Sequence, residues 1–151
     1  MEMKKRSITI LLAEDDEDDY MLIIKSLKKA KLINDIHWVK DGVELIDYLK
    51  HSGEYTDITK SPRPCLILLD LNMPRKDGRE ALKEIKSDPI LKDIPVIVLT
   101  TSKSEEDIFT SYNLGVNSFV RKPGRFEDYV KALNLIHQYW FELVELPIGE
   151  R

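Results

Sequence analysis

The stretch Cys65-Leu66-Ile67-Leu68-Leu69-Asp70-Leu71-Asn72-Met73-Pro74 constrains the chain more than any other. Its apolar or near-apolar residues Cys65 to Leu69 show no polar alternation, which reads as a strand buried on both faces, and they run straight into Asp70. In an open parallel sheet, ligands and chemistry gather at the carboxyl ends of the strands. Asp70 is therefore the leading functional candidate. A turn or helix-cap aspartate at a strand end is equally compatible with this stretch taken alone.

The remaining elements follow from periodicity. Ile8 to Ala13 reads as a second buried strand, followed by six consecutive carboxylates, Glu14-Asp15-Asp16-Glu17-Asp18-Asp19. Tyr20, Ile23, Ile24, Leu27 and Ala30 recur at helical spacing, so the later acids fall in a first helical turn, where the macrodipole favours them. Lys25, Lys28, Lys29 and Lys31 crowd the last turns of that helix. Glu14 and Asp15 precede it and need another account. Asp35 to Val39 reads as a short strand, Gly42 to Leu49 as a helix, and His51 to Pro64 as a polar surface loop of unusual length. Beyond a turn at Met73 to Gly78, Arg79 to Lys86 is helical and Val96 to Leu99 is a strand opened by Pro95. Glu105 to Leu114 is a helix between the N-cap Ser104 and the stop Gly115, and Ser118 to Arg121 is a fifth strand. From Phe126 the residues Tyr129, Val130, Leu133, Ile136, Trp140 and Leu143 keep one helical stripe to the end.

Five strands alternating with five helices imply an α/β fold, a doubly wound five-stranded parallel sheet with helices on both faces. The strand order 2-1-3-4-5 is taken over from flavodoxin-like folds rather than read from this sequence. It sets strand 1 beside strand 3, so Glu14 and Asp15 meet Asp70 in one crevice. With 151 residues, 42% of them hydrophobic and 33% charged, residues 1–151 make a single domain with a sizeable core. A net charge of −4 gives no reason to expect nucleic acid or an anionic membrane as a partner, and no apolar run could span a bilayer. The first apolar run is too short and too abruptly acidic for a secretory signal. The single Cys65 excludes an internal disulfide and fits a reducing cytoplasm. His37 and His51 lie in no metal-ligand spacing.

Three crowded carboxylates cannot all stay ionised comfortably without a cation, and an all-oxygen site with few protein ligands suits Mg²⁺. A hydroxyl from Thr100 and an ammonium from Lys122, both at strand ends on the same edge, complete a set that matches phosphoryl transfer to a carboxylate, with Asp70 as nucleophile. Taken singly, Thr100 is equally a helix cap, Lys122 a solvated charge and the acids a dipole-favoured patch.

With these residues in place the sequence resembles the receiver domain of bacterial two-component response regulators, over essentially the whole chain. The residues carrying the resemblance are the Glu14-Asp15 pair, Asp70 in Asp70-Leu71-Asn72-Met73-Pro74 with Asp77-Gly78 following, Thr100, and Lys122-Pro123. The resemblance implies that Asp70 accepts a phosphoryl group from a sensor histidine kinase. It implies further that Asp15, Asp70 and the Asn72 carbonyl ligate Mg²⁺, with Glu14 acting mainly through metal-bound water. Thr100 and Lys122 would bind the phosphoryl oxygens, and Phe119 would occupy an aromatic switch position together with Thr100. Such a protein catalyses only its own phosphorylation and dephosphorylation, with Asn72 and Ser102 tuning the latter. A cis Lys122–Pro123 bond is also expected. Glu14, where many receivers have Asp, and Gly124, where an apolar residue is frequent, depart from the pattern.

The long loop before the third strand, Tyr139-Trp140-Phe141 and Leu146-Pro147 look like stand-alone receivers paired with bacterial phytochromes, with no room for an output domain. The last helix carries Leu135, Tyr139 and Phe141 beside its core stripe, which either cover the core's edge or, on the helix 4, strand 5 and helix 5 face that the resemblance to receivers implies changes on phosphorylation, form a homodimer contact. A haloacid-dehalogenase-type enzyme would need a second Asp where Asn72 stands. A flavodoxin-like cofactor binder would need a phosphate cradle where six acids stand. A degenerate receiver acting only as a docking module would not keep an intact site.

Overall fold

A computed structural model describes residues 9–29, 35–101 and 104–143. The elements alternate: β1 (Thr9–Ala13), α1 (Glu17–Lys29), β2 (Asp35–Val39), α2 (Gly42–Lys50), β3 (Leu66–Leu69), α3 (Gly78–Ser87), β4 (Val96–Thr100), α4 (Glu105–Leu114), β5 (Ser118–Arg121) and α5 (Phe126–His137). All strand pairs are parallel and the sheet order is β2-β1-β3-β4-β5, as expected.

The unbroken apolar runs are explained by two cores, one on each face of the sheet. Leu11, Ala13, Ile67, Leu69, Val96 and Val98 join α2 and α3 through Leu45, Leu82 and Ile85. The alternate residues Ile10, Leu12, Leu66, Leu68, Ile97 and Leu99 join α1 and α5 through Ile23, Leu27, Tyr129, Leu133 and Trp140. A strand covered on both faces has no position left for a polar side chain until it reaches its end. That is why the first polar groups met after the apolar runs 10–13, 66–69 and 96–99 are Glu14, Asp70 and Thr100, all three buried.

The helix starts and turns follow from local chemistry. Asp41 caps α2 by accepting from Glu44 N–H at 2.8 Å, while Glu44 reaches back to Lys40 N–H at 2.8 Å, a reciprocal capping arrangement. Asp77 caps α3, accepting from Arg79 N–H at 2.7 Å. Between β3 and α3 the chain turns through Arg75 at a φ of 64°, and Gly42 N–H then donates to Lys76 O at 3.0 Å, pinning the loop on α2. Arg79 donates to both carboxylate oxygens of Asp107, at 2.7 and 2.6 Å, and so ties the start of α3 to the start of α4. The long loop before β3 is anchored by Tyr48 Oη on Pro62 O at 2.8 Å, by the His51 ring on Ser61 O at 3.0 Å and by the tilted Tyr48–Tyr55 ring pair.

The C-terminal helix departs from expectation. The α-helix ends at His137 and continues as a π-helix, Gln138–Leu143, in place of one uninterrupted stripe. Trp140 is buried in the α1/α5 core, whereas Leu135 and Tyr139 are exposed. Trp140 follows Leu133 by seven residues and so keeps to the core-facing stripe although the winding has changed. The Phe141 side chain, Ser102, Leu146 and Pro147 lie outside the described residues.

Gly78 sits where α3 closes on the loop that follows β3. A Cβ there would lie 2.3 Å from Asp70 O and 2.7 Å from Leu71 Cα, both backbone atoms that cannot step aside. Gly78→Ala should cost about 1–3 kcal/mol in urea unfolding, the usual range for overpacking. Gly124→Ala, with nothing within 4 Å of its Cβ, should stay within about 0.5 kcal/mol of wild type. Equal stability of the two variants would contradict the close approach of α3 to Asp70.

Candidate phosphoryl and metal site

The acidic run resolves into separate tasks. Glu14 is buried, and both of its backbone groups are tied to β2: its N–H donates to Val39 O at 3.0 Å, and its carbonyl accepts from the Trp38 indole at 2.7 Å. Trp38 in turn stacks on Tyr20 of α1 with ring centroids 3.8 Å apart, and Lys40 Nζ lies 4.8 Å from its ring centre. Asp15 is exposed at the mouth of the crevice. Asp16 begins α1, accepting from Asp19 N–H at 3.1 Å, and Glu17, Asp18 and Asp19 fill the first helical turn.

The strand ends converge as the sheet order requires. Asp70 N–H donates to Ala13 O at 3.0 Å, joining the ends of β1 and β3, and Lys122 N–H donates to Thr100 O at 2.8 Å, joining the ends of β4 and β5. Carboxylate oxygens of Glu14, Asp15 and Asp70 all lie within 4.8 Å of one another. Asn72 N–H donates to Asp70 Oδ1 at 3.2 Å. The Lys122 side chain, 4% exposed, lies across the cluster: its ammonium donates to Glu14 Oε1, to Asp19 Oδ2 at 2.8 Å and to Asp70 Oδ2 at 3.1 Å. Phe119 is half-buried against the α2/α3 core, and its N–H donates to the Tyr112 hydroxyl at 3.2 Å.

Glu14, Asp15, Asp70, Asn72, Thr100 and Lys122 are thus gathered at one edge, with Phe119 on β5 beyond it. The Lys122–Pro123 bond is trans, against expectation. The flexible lysine stem reaches Asp70 without a reversed backbone. Periodicity did not single out Asp19 as a partner of Lys122. A signal for it was present, because Asp19 precedes the fully buried Ile23 by one helical turn and so shares its core-facing side.

The electrostatics separate the two buried acids. Burial, reinforced by a hydrogen bond to Asp70, pushes the Glu14 carboxyl up to about 9. For Asp70 burial alone would raise the value. The hydrogen bond from Glu14, the Lys122 charge, the Asn72 N–H and the Thr100 hydroxyl outweigh burial and hold Asp70 below the ordinary carboxylate value. Lys122 is held above its ordinary value: burial opposes its charge, but the hydrogen bonds to Asp19 and Glu14 prevail. Without metal the site therefore holds an ionised Asp70, a protonated Glu14 and a fixed ammonium. Glu14 Oε2 is buried, and among the described residues no N–H or hydroxyl group donates to it. A hard cation with its own water fits such a cluster, since it supplies charge to the carboxylates and a ligand to the orphaned oxygen.

The sign of the pH dependence follows. A carboxyl whose folded pKa is raised from 4.5 to about 9 stabilises the fold fully below 4.5, and that contribution is lost as pH rises through about 9. In chelator, wild-type protein should lose urea resistance between pH 5.5 and 8.5, and Glu14→Gln should flatten that slope. Mg²⁺ binding at pH 7 should also release a proton from the wild type and none from Glu14→Gln, read by calorimetry in buffers of different ionisation enthalpy. Identical slopes and identical proton release in the two proteins would contradict a protonated Glu14.

Comparison with known proteins agrees with this geometry. Residues 10–134 match the family model described as response regulator receiver domain. The chain is 46% identical over 138 residues to the response regulator Rcp1 of Synechocystis sp., covering 91% of this chain and 92% of that protein. The crystal structure of the phosphorylated cyanobacterial phytochrome response regulator RcpA superposes with a TM-score of 0.88 at 43% identity, covering 95% of this chain and 100% of that one. The Mn²⁺-bound form of Rcp1 gives 0.84 at 45% identity, covering 93% and 99%. No helix among the described residues is long and apolar enough to cross a membrane. The buried aspartate at the end of β3, the acids after β1 and the lysine after β5 thus stand on the fold those matches share, and the chain belongs to the receiver domain family of two-component response regulators.

Proposed function

We propose that this protein accepts a phosphoryl group on Asp70 from the phosphohistidine of a sensor kinase, of the phytochrome-like class, in the cytoplasm. The observation carrying this reading is the meeting of an ionised Asp70 with a buried ammonium on one side and two further carboxylates on the other. An Asp70 oxygen forms the new bond to phosphorus as the bond to the donor's histidine nitrogen breaks. Asp15, Asp70 and the Asn72 carbonyl would hold Mg²⁺ directly and Glu14 through water; the ion, when bound, neutralises charge on the transferred group. Lys122 brings a permanent charge to the phosphoryl oxygens, and Thr100, fully buried at the end of β4, brings a hydroxyl. The same groups serve hydrolysis, so the chain's chemistry is confined to its own phosphorylation and dephosphorylation, with Asn72 beside the path of the attacking water. Resemblance to phytochrome response regulators supports the kinase class, and coverage of 92% of Rcp1 supports a single receiver unit signalling through protein contacts.

The switch is Thr100 with Phe119. Drawing the Thr100 hydroxyl toward a phosphoryl group would act across the β4–β5 pairing on Phe119, which is only half-buried and whose N–H is held by Tyr112 of α4, a helix whose sole buried residue among those described is Ser111. Leu135 and Tyr139, exposed in and just beyond α5, supply apolar surface for a homodimer through α4, β5 and α5.

Incubation with Mg²⁺ and acetyl phosphate should add one phosphate to the intact mass of the wild type and none to Asp70→Asn; an equal adduct on both would refute the assignment of Asp70. Sedimentation at micromolar concentrations should show a larger species with Mg²⁺ and beryllofluoride, weakened by Tyr139→Glu. Monomer under every condition would end the dimer proposal.

A further inference from the structure

The ammonium of Lys122 has one partner that the chemistry just described does not require. Lysine carries three N–H donors, and three carboxylates surround this one: Glu14 Oε1, Asp70 Oδ2 at 3.1 Å and Asp19 Oδ2 at 2.8 Å. The Lys122 side chain is 4% exposed, so water has little room to take a share. Glu14 and Asp70 belong to the cluster that suits a cation, and Asp19 does not. A phosphoryl oxygen on Asp70 can engage the ammonium only by displacing one of these three partners.

Asp19 is poorly placed to follow the ammonium inward. Its backbone N–H is fixed on Asp16 Oδ1 at 3.1 Å, and its neighbour Tyr20 is stacked on Trp38 with centroids 3.8 Å apart. The first turn of α1 is therefore held from two sides, whereas the four-carbon stem of Lys122 can move its ammonium by rotamer change without moving the backbone. We propose that Asp19 is a positioning residue that parks the Lys122 ammonium beside α1, and that phosphorylation draws the ammonium off Asp19 onto the phosphoryl oxygens. Asp19 thereby competes with the phosphoryl group for the same cation and sets the affinity of the site for it. The inference rests on Asp70 as phosphoacceptor and Lys122 as its phosphoryl ligand.

The probe is beryllofluoride at saturating Mg²⁺, titrated by ¹⁹F NMR against wild type, Asp19→Asn, Asp19→Ala and Asp18→Asn. Asp18 lies in the same helical turn, is exposed and carries the same charge, so its variant reports the field of one lost carboxylate without the contact. Asp19→Asn and Asp19→Ala should each bind roughly three- to tenfold more tightly than wild type, the discount reflecting the partial exposure of Asp19. Asp18→Asn should stay within about twofold. A merely structural role for Asp19 would weaken binding instead. Wild-type binding with Asp19 variants equal to or weaker than it, or with Asp18→Asn tightening as much, overturns the Asp19 assignment alone. Absence of beryllofluoride binding in all four proteins overturns both this inference and the phosphoacceptor reading.

Discussion

One buried ammonium balances the site. Lys122 reaches from the end of β5 to Glu14 after β1, Asp19 in α1 and Asp70 after β3, so a single side chain links four elements. Three acids about one cation leave an excess of negative charge in a largely water-excluded place, and burying such charge unpaired is costly. The excess is relieved by a proton on Glu14, the more buried acid, in the absence of metal, and the same excess is what makes the crevice attractive to a divalent ion. The feature that makes the metal-free site expensive is also the feature that makes it useful, as expected where stability is given up for function.

The scaffold keeps that arrangement rigid on one side and loose on the other. Both faces of β1, β3 and β4 are sealed by core side chains, and the Glu14 backbone is tied to β2 at both its N–H and its carbonyl. The α4–β5 side is thinner: α4 is tied to α3 by the Arg79–Asp107 pair, and Phe119 is only half-buried. The proposed switch at Thr100 would be read out on this side. A phosphoryl group can shift this region only to the extent that it binds one arrangement better than the other, and the ligands that would discriminate are Thr100 and Lys122.

Much of this was legible in the residues, because apolar runs ending in polar groups mark buried strands and their carboxyl edges. Glu14 and Asp70 stand immediately beyond such runs, Thr100 ends one, Asp15 adjoins Glu14 and Lys122 follows the fifth strand, and the structure gathers them. What was not legible depended on side chains meeting across distance in the chain. Asp19 looked like one dipole-favoured acid among several, since nothing local distinguishes it from Asp18. Trp38 read as strand packing, yet its indole also holds the Glu14 carbonyl from the neighbouring strand. The end of α5 followed an α-helical stripe in sequence, and Trp140 is buried as that stripe requires, but the winding there is π-helical, which the stripe did not reveal. The trans Lys122–Pro123 bond likewise reflects the reach of a flexible side chain, which no local pattern records.

The central claim is that Asp70, and no other acid of the cluster, carries the phosphoryl group. An aspartyl phosphate is reduced by borohydride to homoserine, while a free carboxylate is untouched, so the position of the product identifies the acceptor. Protein incubated with Mg²⁺ and acetyl phosphate, reduced with borohydride and mapped by peptide mass spectrometry should contain homoserine at position 70 and retain Asp15, Asp16, Asp18 and Asp19 unchanged. Reduction at Asp15 or Asp19, or an unreduced Asp70 in protein that carries the phosphate, would contradict the account.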